Sequence, residues 1–303
     1  MKVVLFAYRD CGYECLNYLL KIGQKPLLVV VPKKEDQNEK VFKSVIKLAS
    51  SAKINLIEYS NNQNVLEREI LALNPDYGFS CYFPYIISDS VIKLFSKCCF
   101  NIHGGILPEY KGALSSVWSI INNEKFSGAT IHLMSKEIDC GNIVEVKKCK
   151  INDLDTGFSL YKKVEKISIL LFKKYFQILK NQKEIISTPQ IIDSGSYYNR
   201  NLPFNGTINW SWKSRDIYNF CRAMYFPPFE PAVSIFNKRK FQIKFVTLTK
   251  IPSTEPPGQV IDIAEDNITV STADFNIIIN SDNFNLEQFN NQLKLSEPKF
   301  FFK

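Results

Sequence analysis

The sequence predicts an open, doubly wound α/β domain followed by a smaller β-rich domain. Three observations lead there. Short, near-continuous apolar runs alternate with segments of helical period through the first half of the chain, the pattern of a parallel sheet covered on both faces. A long amphipathic stretch from Leu160 to Leu179 closes that region. After about residue 195, Asn, Pro and aromatic residues cluster and only short strand-like runs remain. At 303 residues the chain exceeds one average domain, and the change of character sets the expected domains at 1–195 and 196–303.

In order along the chain, Val3 to Ala7 reads as a strand and Asp10 to Leu20 as a helix. Leu27 to Val31 is a second strand, closed by Pro32. Lys40 to Ser50 carries Val41, Val45, Ile46 and Leu48 at helical spacing. Ile54 to Ile57 reads as a short strand, Val65 to Leu73 as a helix, and Tyr77 to Ser80 and Cys99 to Ile102 as strands. A helix over Ser115 to Asn123 precedes strands at Ala129 to Met134 and Ile143 to Val146. The long helix that follows has Asp155 and Thr156 as candidate caps. Its apolar stripe is Leu160, Val164, Ile167, Leu171, Tyr175 and Ile178. The second domain has one helix, Ser214 to Met224, and strands at Val233 to Phe236, Phe241 to Val246, Gln259 to Ile263, Ile268 to Ser271 and Phe275 to Ile279. The Asn-rich tail from Asn280 to Lys303 reads as loosely held.

Composition narrows the function. Apolar residues make up 45% of the chain and charged residues 22%, values for a globular protein with a core. The net charge is +8, but Lys33-Lys34, Lys147-Lys148 and Lys238-Arg239-Lys240 are short and far apart. No basic block resembles a nucleic-acid arm, so nucleic acid is not an expected partner. A mildly basic surface suits steering of anionic small molecules. The eight cysteines lack metal-type spacing, so no metal is expected and they read as reduced, buried hydrophobes. The first apolar run is broken at once by Arg9-Asp10, too short for a signal segment. Leu160 to Leu179 contains Lys162, Lys163, Glu165, Lys166, Lys173 and Lys174 and cannot be a membrane span. The expected location is the cytoplasm, with no membrane contact.

The chemistry concentrates at Asn101-Ile102-His103, where an apolar run ends. Side chains at i and i+2 of a strand point the same way, so Asn101 and His103 project together. In open α/β sheets ligands sit beyond the carboxyl ends of the strands, which is where these two residues fall. Gly104 and Gly105 then let a backbone or ligand come close. Further on, Ser135-Lys136-Glu137-Ile138-Asp139-Cys140-Gly141 offers a carboxylate beside a glycine turn. Amide, imidazole and carboxylate are the parts needed to move an acyl group onto an amine. His103 suits the base that takes the amine proton. Asn101 suits the donor that meets the carbonyl oxygen as it gains charge. Asp139 suits orientation of the charged imidazole or proton relay through water. The other histidine, His132, alternates with Ile131 and Leu133 and reads as a structural or supporting residue.

In these residues the chain resembles the formyltransferases that use N10-formyltetrahydrofolate. The matching pattern is Asn101-x-His103, then Leu107-Pro108-x-Tyr110-Lys111-Gly112, then Asp139-x-Gly141-x-Ile143. Within that family it is similar to bacterial sugar N-formyltransferases, and especially to the domain acting on UDP-4-amino-4-deoxy-L-arabinose. That similarity also includes Phe6-Ala7-Tyr8-Arg9-Asp10-Cys11-Gly12, Asn38-Glu39-Lys40-Val41-Phe42, Asn74-Pro75-Asp76, Trp210 and Arg222-Ala223. The resemblance implies a doubly wound Rossmann-like parallel sheet with a smaller C-terminal β-rich open-barrel domain. It implies N10-formyltetrahydrofolate as co-substrate, held by Tyr85, Ile86 and Ile87 and by Ser135, Lys136, Glu137 and Ile138. Tyr8, Arg9, Gly104, Gly105 and Lys111 are the candidate contacts to the second substrate; Lys111 either reaches a phosphate or stays in solvent.

Two departures lie beside the site: Ala113 stands where the arabinose enzyme has a second arginine, and Gly104-Gly105 replaces Gly-Ser or Pro-Ser. They favour a dTDP- or UDP-linked 4-amino-4,6-dideoxy sugar over arabinose, in O-antigen or other lipopolysaccharide synthesis. Two alternatives stay open: a methionyl-tRNA formyltransferase, and a non-catalytic protein that binds folate or a nucleotide sugar. Exposed aromatic residues in the second domain make a homodimer an expectation.

Overall fold

The computed structural model describes residues 1–33, 41–191, 194–236, 238–285 and 287–289. The expected helix start at Lys40, the Asn38-Glu39-Lys40 match and the tail beyond residue 289 lie outside the described residues. In chain order the first elements are β1 (Val3–Ala7), α1 (Arg9–Lys21), β2 (Leu28–Pro32), α2 (Val45–Ser51), β3 (Leu56–Tyr59), α3 (Gln63–Leu73), β4 (Tyr77–Cys81), α4 (Asp89–Ile92) and β5 (Cys98–His103). Then come β6 (Lys111–Gly112), α5 (Ser115–Ile121), β7 (Phe126–Leu133), β8 (Ile143–Lys150), α6 (Gly157–Lys180) and β9 (Tyr197–Tyr198). The last are α7 (Ser214–Met224), β10 (Ala232–Phe236), β11 (Arg239–Ile243), β12 (Thr247–Pro252), β13 (Val260–Ile263), β14 (Asn267–Val270) and β15 (Phe275–Asn280).

Local chemistry explains the helix starts. Ser44 accepts a hydrogen bond from the Lys47 N–H, so α2 begins later than its apolar period alone suggests. Asn62 caps α3 in the same way, at Val65 N–H, and α3 stops at Asn74 in the left-handed conformation. Thr156 and Ser159 bond reciprocally at the entrance to α6, 2.9 and 3.1 Å, while Asp155 accepts from Ser159 Oγ at 3.1 Å.

Two compact units result. The first joins Met1–Ser115, Phe126–Lys150 and Tyr161–Asn199; the second joins Ser116–Lys125, Ile151–Leu160 and the chain from Arg200 on. The first unit holds a seven-stranded sheet in the order β3-β2-β1-β4-β5-β7-β8. β1, β2 and β4 are buried along their whole length, which is why β1 and β2 are continuous apolar runs rather than alternating ones. From β3 to β5 the sheet is parallel, with the strand order reversing between β1 and β4. The last two strands depart from the all-parallel expectation: β7 runs antiparallel to β5 and β8 antiparallel to β7. Only residues 134–142 separate β7 from β8, too few for the crossover that a parallel neighbour needs.

The second unit contains α7, the β10–β11 hairpin and an antiparallel sheet ordered β12-β15-β14-β13. The sequence reading missed β12. It is a mostly exposed edge strand, its register shifts between Leu248 and Pro252, and it ends on a proline, so it lacks the alternation of a half-buried strand. No helix among the described residues is long and apolar enough to cross a membrane.

Candidate active site

β5 carries Asn101 and His103 on one side of the sheet, and the antiparallel pairing sets Asn101 opposite His132 and His103 opposite Thr130. The connection after β7 returns Asp139 to the same place, in a left-handed conformation with φ 55°. Asp139 is then touched by four groups. His103 Nδ1 lies 3.3 Å from Oδ2 and His132 Nε2 3.3 Å from Oδ1. Asn101 Nδ2 donates to Oδ1 at 3.1 Å, and the Gly112 N–H donates to Oδ2 at 2.9 Å. The Asp139 side chain is 7% exposed, that of His103 6% and that of His132 2%. Burial pushes the Asp139 carboxyl up, but the His103 imidazole beside it, first of all, and the Gly112 N–H outweigh it. The carboxyl therefore sits well below the usual carboxylate range.

His103 Nε2 lies 2.7 Å from the Tyr110 carbonyl oxygen. Both ring nitrogens thus face acceptors, and a doubly protonated ring donates to both. His132 Nδ1 lies 2.8 Å from the Leu133 carbonyl oxygen. That places the proton of a neutral ring on Nδ1 and leaves Nε2 to accept from Asn101 Nδ2, 3.0 Å away. The Asn101 amide cannot be turned over without aiming its oxygen at the carboxylate. Its NH2 is therefore held by Asp139 and His132 together.

The remaining expected residues frame this cluster. A Cβ at Gly105 would come 2.6 Å from His103 Nε2 and 2.9 Å from both Ser115 Oγ and the Tyr110 carbonyl oxygen. A Cβ at Gly104 would come 3.0 Å from Tyr82 Oη. Lys111 is buried rather than solvated, and its Nζ donates to the Ser194 carbonyl at 2.8 Å. Tyr8 and Arg9 follow β1 where the strand order reverses; the Arg9 guanidinium lies 4.9 Å over the Tyr8 ring and 4.4 Å over Phe42. Tyr85 packs edge-on against Tyr59, Ile87 is buried, and Ile86 is 58% exposed with its carbonyl accepting from Gln63. Ser135 bonds the Glu137 carbonyl, while Lys136, Glu137 and Ile138 are exposed. Tyr85, Ile87 and Met134 all pack on the apolar cluster beside β4, so the segments at 85–87 and 135–138 leave from a common base.

Two features escaped the sequence reading. For His132, read as a structural or supporting residue, what escaped is the partner: its register against Asn101 brings it to Asp139. Gln190, outside any motif, donates from Nε2 to the carbonyls of Asp139 and Gly141 at 2.8 and 2.7 Å.

Residues 1–173 match the model of the formyl transferase family, and residues 203–287 match its C-terminal domain. The chain belongs to the formyl transferase family. This formyl transferase is 35% identical over 265 residues to the bifunctional polymyxin resistance protein ArnA of Wigglesworthia glossinidia brevipalpis, covering 86% of this chain and 40% of that protein. The chain thus spans less than half the length of that relative. It is 28% identical to the N-formyltransferase of Helicobacter canadensis in complex with folinic acid and dTDP-3-aminofucose, with a TM-score of 0.76 over 92% of this chain and 98% of that one. It is 27% identical to WlaRD, a sugar 3N-formyl transferase solved with dTDP and 5-N-formyl-THF, with a TM-score of 0.74 over 92% and 97% of the two chains.

Proposed function

We propose that this formyl transferase moves the formyl group of N10-formyltetrahydrofolate onto the amine of a dTDP- or UDP-linked amino sugar. The observation that carries the reading is the buried contact of His103 with an ionised Asp139 beside Asn101. It stands in a chain whose similar structures are sugar formyltransferases holding folates and dTDP compounds.

The folate supplies an activated one-carbon unit on N10. The amine nitrogen forms a bond to the formyl carbon, the bond from that carbon to N10 breaks with N10 taking up a proton relayed through His103 as tetrahydrofolate leaves, and the amine gives one proton up. His103 takes that proton. The ring so charged donates from both nitrogens, to the Tyr110 carbonyl and to Asp139, whose negative charge stabilises it. Asn101 is the donor aimed at this spot. Its amide exchanges a bond to Asp139 or His132 for one to the oxygen that gains charge. Tyr85, Ile86, Ile87 and Ser135 to Ile138 hold the folate. Arg9, backed by Tyr8 and Phe42, is a fixed positive charge for the nucleotide diphosphate.

The reading extends to setting. All eight cysteines are free thiols, which supports a reducing compartment, the cytoplasm, and a place in surface-glycan synthesis such as O-antigen assembly. Exposed Phe229 and Phe275 in the second unit support a homodimer, to be read by light scattering.

The deciding experiment incubates the protein with N10-formyltetrahydrofolate and dTDP-, UDP- and GDP-linked 3-amino and 4-amino sugars. A one-formyl mass gain on a dTDP or UDP sugar is expected. Absence of product from every sugar, or formylation of initiator methionyl-tRNA instead, overturns the reading.

A further inference from the structure

We propose that Gln190 is a positioning residue for Asp139. The inference rests on the reading that Asp139 serves formyl transfer, and it adds a residue that no family motif in this chain contains. Asp139 sits in a left-handed turn at φ 55°, a conformation that costs most non-glycine residues energy and that Asp tolerates better than most. Within the turn the Cys140 N–H reaches the Glu137 carbonyl at 3.3 Å, Ser135 Oγ donates to that same carbonyl at 3.0 Å and Cys140 Sγ to the Ile138 carbonyl at 3.2 Å, and none of these bonds engages the carbonyl of Asp139 or Gly141. Two constraints come from outside. Gly141 passes so close to the Leu133 carbonyl that a Cβ would lie 1.8 Å from that oxygen. Gln190 Nε2 then spends its two hydrogens on the carbonyls of Asp139 and Gly141, at 2.8 and 2.7 Å.

The orientation of that amide is forced. Reversed, it would set its oxygen against two carbonyl oxygens. As it stands, Gln190 Oε1 is buried with no hydrogen-bond partner among the described residues. An orphaned buried acceptor is costly, so this placement persists because the two carbonyl bonds require it.

Gln190 is itself anchored. Two residues before it, Thr188 exchanges backbone hydrogen bonds with Ile143 at 2.8 Å in both directions. Beyond it, Lys111 Nζ donates to the Ser194 carbonyl at 2.8 Å and the Lys111 N–H to the Ser196 carbonyl at 2.9 Å. Tyr110 N–H donates to Ser196 Oγ at 3.0 Å, and a Cβ at Gly195 would lie 1.9 Å from the Pro108 carbonyl. Residues 188–191 and 194–198 therefore brace both backbone pieces that reach the carboxylate: the Asp139–Gly141 turn and the Tyr110–Gly112 loop whose Gly112 N–H bonds Oδ2. The Gln190 amide fixes the turn so that one carboxylate meets His103 and His132 together.

The test is a double-mutant cycle on the full chain. Gln190→Leu keeps the volume and removes both bonds. Its kcat is expected to fall about 10- to 100-fold, as for a misplacement near 1 Å, with KM for both substrates within about twofold of wild type. In an Asp139→Asn background the same change is expected to cost less than about twofold in kcat, since the group it positions is already disabled. Gln190→Glu gives a second reading if the leucine variant does not fold. Its carboxylate repels the two carbonyls, whereas its acid form donates one bond. Its deficit relative to wild type should therefore shrink from about pH 8 to about pH 6. A folded Gln190→Leu with wild-type kcat, losses that multiply with Asp139→Asn, or a pH-independent deficit in Gln190→Glu overturns the proposal. Wild-type kcat in Asp139→Asn alone would instead sink the proposed function.

Discussion

His103 Nδ1 lies 3.3 Å from Asp139 Oδ2 while its other ring nitrogen lies 2.7 Å from the Tyr110 carbonyl oxygen. The imidazole is thus held at both ends by acceptors inside a site where both side chains are less than a tenth exposed. His103→Ala is expected to lower the rate of formyl transfer about 10²- to 10⁴-fold, and Asn101→Ala on the order of 10²- to 10³-fold. Steady-state kinetics with the sugar found in the screen read both. Folded variants that keep wild-type rates would remove these residues from the chemistry.

Asp139 links the site to acid stability. Its folded carboxyl lies below the ordinary carboxylate range, so its ionisation favours the folded chain above the unfolded value of about 4. That contribution fades as pH falls toward the folded value. Asp139→Asn cannot ionise and is expected to show a shallower loss of stability between about pH 5 and about pH 2. Urea midpoints measured across that range decide it; parallel wild-type and variant curves would contradict the assignment.

Gly105 leaves room for His103. An added methyl would press on Nε2 at 2.6 Å and on the Tyr110 carbonyl at 2.9 Å. Gly105→Ala is expected to cost about 10- to 100-fold in kcat by displacing the ring. A circular-dichroism melt should show that the fold survives. An unchanged kcat would mean that the loop yields and the ring position does not matter at this scale.

Arg222 is the corresponding prediction in the second unit. Its buried guanidinium donates to Asn219 Oδ1 at 3.0 and 2.9 Å and to the Asn152 and Asp155 carbonyls at 3.1 and 2.8 Å. Arg222→Met leaves those acceptors unsatisfied and is expected to destabilise that unit by on the order of 2–3 kcal/mol. Trp118, Trp210 and Trp212 all lie there, so a fluorescence-detected urea transition reports it. A shift below about 0.5 kcal/mol, the range of ordinary surface changes, would show that water replaces the lost bonds.

Much of this molecule was legible before any coordinates. The apolar runs that become β1 and β2, the α7 boundaries and the Thr156 cap are all written in neighbouring residues, and local periodicity and capping chemistry depend on nothing else. The same holds for Asn101 and His103: a spacing of two on a strand puts them on one face wherever that strand lies. A turn carrying Asp139 near a glycine was likewise visible. Only tertiary pairing decided what these groups meet. Running β7 antiparallel brought His132 against Asn101, and the segment after α6 delivered Gln190 to the Asp139 turn and buried Lys111 under the Ser194 carbonyl. Those contacts join residues dozens to scores of positions apart. They arise from register and chain path, which a one-dimensional pattern of polar and apolar residues does not encode.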